Sequence, residues 1–147
     1  MDYDALRAGM AAAVPFNQHL GLEVTELGPG AATVRLPDEQ GLQNHVGTQH
    51  AAGLFAAAEA ASGGAFVATF AERLAEIRPL ATGAEISYTK LARGPIDARA
   101  TLTGADDLLA TLDAEGKVVF PVEVALTDAD GETVATAAVQ WHVSKTS

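Results

Sequence analysis

NHVGTQHAAGLFAAAEAASGG, residues 44–64, decides how the rest of the chain is read. From Ala51 to Ala71 the sequence is almost wholly small or apolar, with one ionisable side chain, Glu59, in its middle. The composition predicts a buried helix over about 50–70, and its small side chains let a curved sheet approach closely. An ionised, unpaired carboxylate is costly in such a helix, so Glu59 must reach a polar cavity, a partner side chain or a subunit boundary.

At about 100° per residue, Ala52 and Glu59 share a helix face, with Phe55 and Phe66 near the same stripe. Seven residues of rise separate the two alpha carbons by about 10 Å. A helix starting near Ala51 leaves its first backbone N–H groups unpaired at the positive end of the dipole, a site suited to a developing oxyanion.

Composition narrows the function classes. The 147-residue chain is 48% hydrophobic, which fits one domain over 1–147 with a real core. It has no cysteine, which excludes disulfides, thiolate metal sites and a thiol nucleophile. A net charge of -10 without a Lys/Arg run argues against nucleic acid as a partner. The Gly63-Gly64 pair and Glu59 argue against a membrane span. The acidic start, MDYDALRAGMAAAV, has the wrong charge order for a secretory signal, so the cytoplasm is the default compartment.

Elsewhere the pattern predicts an N-terminal helix within residues 1–15, closed by Pro15, and a hairpin from Leu20 to Leu36 turning at Gly28-Pro29-Gly30. Further strands are expected at 86–90, 96–102, 118–126 and 132–143, with Pro121 implying an edge or a bulge and DADG at 128–131 a hairpin turn. Residues 105–116 read as either a helical turn or a loop. Strands following one another without crossover helices give an α+β fold, an antiparallel sheet wrapped around a long central helix. Strands with apolar residues on both faces, as at Val118-Val119, point to a homo-oligomer.

The run Asn44-x-x-Gly47-x-x-His50, with Glu59 nine residues later inside Ala-Glu-Ala-Ala, resembles the hotdog-fold thioesterases of the phenylacetate-degradation type. The stretches YTKLARGPI and DADGETVATA extend the likeness more loosely. The resemblance implies a hotdog fold with two chains pairing into a homodimer or homotetramer, and hydrolysis of an acyl thioester such as a coenzyme A ester, without a cofactor. It implies that Glu59 is the general base or nucleophile, that Asn44 holds water or carbonyl, and that backbone after His50, at Ala51, Ala52 and Gly53, forms the oxyanion hole. Tyr88, Lys90 and Arg93 would line the acyl or coenzyme A channel. Where that family commonly has two glycines after the histidine, this chain has Ala51-Ala52, which bears on the oxyanion geometry.

Other readings stay open. His50 is either an orienting residue or a direct participant, Asn44 also suits a turn cap, and Phe55 is either core or part of the acyl site. The fourteen-residue spacing from His45 to Glu59 resembles that of the hydratases and hydroxyacyl dehydratases of the same fold, in which a histidine and an acid move protons, although their Met-Pro-Gly is absent. His45 and His50 lack a third ligand for zinc. A non-catalytic acyl-CoA-binding module is the third reading.

Overall fold

The computed structural model describes residues 1–146. Helix α1 (Tyr3–Ala13) opens at an Asp2 cap whose carboxylate accepts from the Ala5 amide, and a five-residue helix α2 (Pro15–His19) follows. Next come β1 (Glu23–Gly28) and β2 (Ala31–Leu36), the long helix α3 (Ala51–Thr69), β3 (Ile77–Tyr88) and β4 (Ile96–Thr101). Helix α4 (Ala105–Glu115), β5 (Lys117–Thr127) and β6 (Thr133–Lys145) complete the chain. The strands form one antiparallel sheet in the order β1-β2-β4-β5-β6-β3.

The sheet covers α3 on most sides. Leu54, Ala57, Ala58, Ala61, Ala65 and Phe66 are buried against it, together with Val34, Leu36, Ala98, Val122 and Val139 from the strands. The stripe left more open runs through Ala52, Phe55, Glu59, Gly63 and Val67, spaced three or four residues apart along one helix face. By length and composition α3 would also cross a membrane, but 67% of that window is buried inside the fold.

The glycine pair does not interrupt α3. A Cβ at Gly64 would lie 2.8 Å from the Cβ of Ala32, so glycine is what lets the helix touch β2. At Gly63 the nearest atom, in the Trp141 ring, is 3.7 Å away, which is ordinary contact. The β1–β2 turn is fixed by Gly30, at φ 75°, where any Cβ would meet the Leu102 carbonyl oxygen at 2.8 Å. Its amide donates to Thr69 Oγ1 at 3.0 Å, tying the hairpin tip to the end of α3.

Three expectations change. The strand expected from Ile86 begins at Ile77 and stops at Tyr88, because it is selected by its long pairing with β6 rather than by alternation of its own. Pro79 is tolerated there because β3 is an edge strand. Pro121 lies on an interior strand without a bulge at that point; β4 pairs only with residues 123–127, so the missing N–H costs no ladder bond on that side. Residues 105–115 form a true helix, held by buried Leu112 with Leu108 and Leu109 against the core.

The adjacent glycines should respond in opposite directions. Gly63→Ala should raise the urea midpoint, by up to about 1 kcal/mol of stability, through helix propensity. Gly64→Ala should lower it by about 1–2 kcal/mol, because overpacking against Ala32 outweighs the same gain.

Candidate active site

Glu59 projects from the open stripe of α3 at intermediate burial. Among the described residues its carboxylate has no hydrogen-bonding or ionic partner, and burial pushes its pKa above the ordinary glutamate value. Its backbone is better anchored. The carbonyl of Glu59 accepts the Ser62 hydroxyl at 2.7 Å, and Ser62 Oγ accepts the Trp141 indole N–H at 3.1 Å. A buried polar pair thus fixes the turn that presents the acid.

Two cavities meet at this residue. An inner one of about 230 Å³ runs behind Glu59, walled by α1, β1, β2 and α3, and includes Met10, Val14, Phe66 and Trp141. An outer, more open one is lined by Phe16, His50, Ala51, Ala52, Phe55 and Tyr88. Glu59 and Asn17 border both.

The start of α3 is set by the loop before it. His50 is the N-cap residue, and its Nδ1 accepts from the Ala52 amide at 2.9 Å. The imidazole thus anchors backbone at the helix start, and the Ala52 N–H already has an acceptor. The amides of Ala51 and Gly53 have no acceptor among the described residues. Gly53 is buried against the Leu36 side chain, whose nearest atom lies 3.5 Å from the position of an added Cβ.

Asn44 organises the loop. Its Oδ1 accepts from the Val46 and Thr48 amides at 3.1 and 3.0 Å, and its Nδ2 donates to Thr48 Oγ1 at 2.8 Å. With these bonds made it lines neither cavity, so its placement within this chain is that of a loop brace and not of a group beside Glu59. His45 is exposed in the same loop and likewise lines neither cavity.

The resemblance placed Tyr88, Lys90 and Arg93 along one channel, and the structure separates them. Tyr88 lines the outer cavity and donates its hydroxyl to the Ala51 carbonyl at 3.1 Å. Lys90 is drawn into an ion pair with Glu132, and Arg93 is exposed on the loop beyond; neither borders the cavities. Of the two readings left open for Phe55, its 36% exposure on the outer wall does not fit the core one, whereas Phe66 is buried and stacks on Trp141 with ring centroids 5.5 Å apart.

Two residues escaped the sequence. Gln49, 4% exposed, donates to the Pro37 and Gly94 carbonyls at 2.9 and 2.8 Å and so pins the entry to α3. Asn17 lies in a five-residue helix after a proline, where no periodicity or motif marks it. Among the described residues no group of three or more His, Cys, Asp or Glu side chains is arranged to hold a metal ion.

Comparison with known proteins places this geometry in a family. No curated protein matches the sequence significantly. The fold is similar to that of a Pseudomonas aeruginosa protein of unknown function described as a "probable thioesterase", at 28% identity and TM-score 0.88, over 99% of this chain and 97% of that one. It is also similar to a thioesterase family protein from Silicibacter pomeroyi (19% identity, TM-score 0.77, 97% and 98% covered). A third likeness is to the E. coli PaaI protein of the phenylacetic acid degradation operon (17% identity, TM-score 0.74, 94% and 91% covered). These likenesses identify the sheet wrapped around α3 as the hotdog fold. A model described as a domain of unknown function, DUF4442, matches residues 3–143, and the chain belongs to that family, within the hotdog-fold thioesterase superfamily.

Proposed function

We propose that the protein hydrolyses an acyl thioester, with coenzyme A as the thiol carrier, in the cytoplasm. The observation that carries this reading is the unpaired Glu59 carboxylate at the junction of two cavities, on the same helix face as a start with free amides. The names of the structural relatives support the reaction class.

Glu59 takes a proton from water, and the water oxygen attacks the thioester carbonyl carbon. Negative charge grows on the carbonyl oxygen, and the Ala51 and Gly53 amides at the positive end of the α3 dipole are the donors proposed to meet it. The C–S bond then breaks. A thiol with a solution pKa of about 8.5 leaves as thiolate with little help, so one base and an oxyanion site suffice. A carboxylate attacking the carbon directly would use the same geometry. Partial burial suits the base, because a raised pKa makes it a better proton acceptor near neutral pH. Asn44 and His50 act here by shaping the helix start, and Arg93, without an ion pair among the described residues, remains available to phosphates.

We also propose assembly as a homodimer or homotetramer. The twelve-residue edge strand β3 is exposed along nearly its whole length, with Leu80 58% and Tyr88 48% accessible. An edge that long and that apolar is normally covered.

Glu59→Gln keeps size and removes the base, so thiol release from acyl-CoA should fall on the order of a hundredfold or more. Unchanged turnover would reject the assignment. In the parent protein the acidic limb of kcat/KM should lie above 4.5, the ordinary glutamate value. Stability follows with a definite sign. The folded state holds its Glu59 proton to higher pH than the unfolded chain, so this group costs stability as pH rises through that window. Glu59→Gln should therefore melt higher than the parent at pH 7, and the difference should close below about pH 4.5.

Sedimentation equilibrium should give an even multiple of 15.1 kDa, and Leu80→Asp on β3 should shift the mass toward one chain. A parent protein that is monomeric at micromolar concentration would contradict the assembly.

A further inference from the structure

We infer that the inner cavity is the acyl-chain site, sized for an unbranched aliphatic chain of about eight carbons, and that Asn17 holds the attacking water at its mouth. The inference rests on the proposed thioester hydrolysis and deepens it by assigning each cavity a part of the substrate.

The two cavities have only Glu59 and Asn17 in common, and these carry the polar side chains at the neck between them. Among the described residues neither side-chain head group is bonded to the protein: the Asn17 backbone carbonyl accepts from the Leu22 amide, but its side-chain amide has no partner. Beyond the neck the wall is apolar, with Met10 and Val14 from the N-terminal helices above, Val34 from the sheet, and Gly63, Phe66 and Trp141 behind. A thioester at the neck therefore points its acyl chain inward and its thiol arm out past Tyr88 and Phe55.

A volume of about 230 Å³ holds roughly seven or eight groups of water size, at about 30 Å³ each, and a methylene is of similar size. A single aromatic ring, which an apolar cavity of about 150 Å³ accommodates, would leave part of this one empty. At the neck, the water gives one proton to Glu59 and donates a hydrogen bond through its remaining O–H to the Asn17 Oδ1, which aims the water oxygen's lone pair at the carbonyl carbon. The proton on Glu59 passes to the departing thiolate, so the products are carboxylic acid and thiol.

Trp141, the only tryptophan in the chain, lines the inner cavity and reports its occupancy without turnover. S-alkyl-CoA thioethers with chains of four to sixteen carbons, and an S-phenethyl-CoA, are titrated against its fluorescence, in parallel with thiol release from the matching thioesters. Affinity should rise about fourfold per methylene up to about eight carbons and then level or fall. Met10→Ala, which enlarges the cavity, should move that optimum to longer chains, and Gly63→Val should move it to shorter ones, each in protein shown by melting to be folded. Asn17→Ala should lower kcat on the order of tenfold to a hundredfold while octyl thioether affinity stays within about threefold. Glu59-dependent thiol release with an unresponsive Trp141, or with an optimum that neither variant moves, would overturn the inference and leave the hydrolase reading intact. A tighter fit for the phenethyl than for the octyl thioether would overturn the aliphatic assignment. An Asn17→Ala protein with parental kcat would remove Asn17 from the site. Thioether binding with the expected chain-length optimum but no thiol release from any ester would uphold the cavity and overturn the hydrolase reading.

Discussion

A carboxylate partly withdrawn from water, with no cation or donor to receive it among the described residues, is the constraint around which this molecule is arranged. Glu59 sits on a helix that the sheet covers on most sides, and burial alone raises its pKa. Such a group persists at a cost in stability, because an unpaired charge in a low-dielectric setting is disfavoured. A fold selected for stability alone would place alanine there, as it does at most neighbouring positions of α3. The cost has a structural counterpart in the two cavities that meet at this side chain.

The rest of the architecture holds that position steady. Small residues on α3 let β2 approach to contact at Gly64, and the Trp141–Ser62–Glu59 hydrogen-bond chain fixes the turn that carries the acid. Before the helix, Asn44 closes its loop, Gln49 pins the backbone to Pro37 and Gly94, and His50 caps the first turn. These polar groups orient the backbone at the helix start. They set where the free amides of Ala51 and Gly53 lie relative to Glu59. The Ala52 amide, at one of the two positions where the motif commonly has glycine, is itself taken up by His50.

The fold was legible because its two strongest signals are one-dimensional. A long run of alanines and glycines with a single charge marks a covered helix, and the apolar residues at every second position of Ile96–Leu102 and Val118–Leu126 mark strands. What escaped the sequence depends on neighbours. β3 has no alternation of its own and exists through β6, and helix 105–115 needed the core to choose it over a loop. At the candidate site, Glu59 was visible as a charge out of place. Asn17 was not, since its meaning lies in sharing a cavity wall with a residue forty-two positions away. Lys90 shows the reverse: a channel residue by motif, it is claimed by Glu132 across the neighbouring hairpin.

The central claim is that the Glu59 carboxylate stands unpaired and partly desolvated. Selective ¹³C labelling of glutamate, with the Glu59 resonance assigned by its loss in Glu59→Gln, reads that group directly in a pH titration of the folded protein. Titration clearly above 4.5, the ordinary glutamate value, is the predicted result. Titration at or below that value would mean that a cation or donors hold the carboxylate, and would contradict the account.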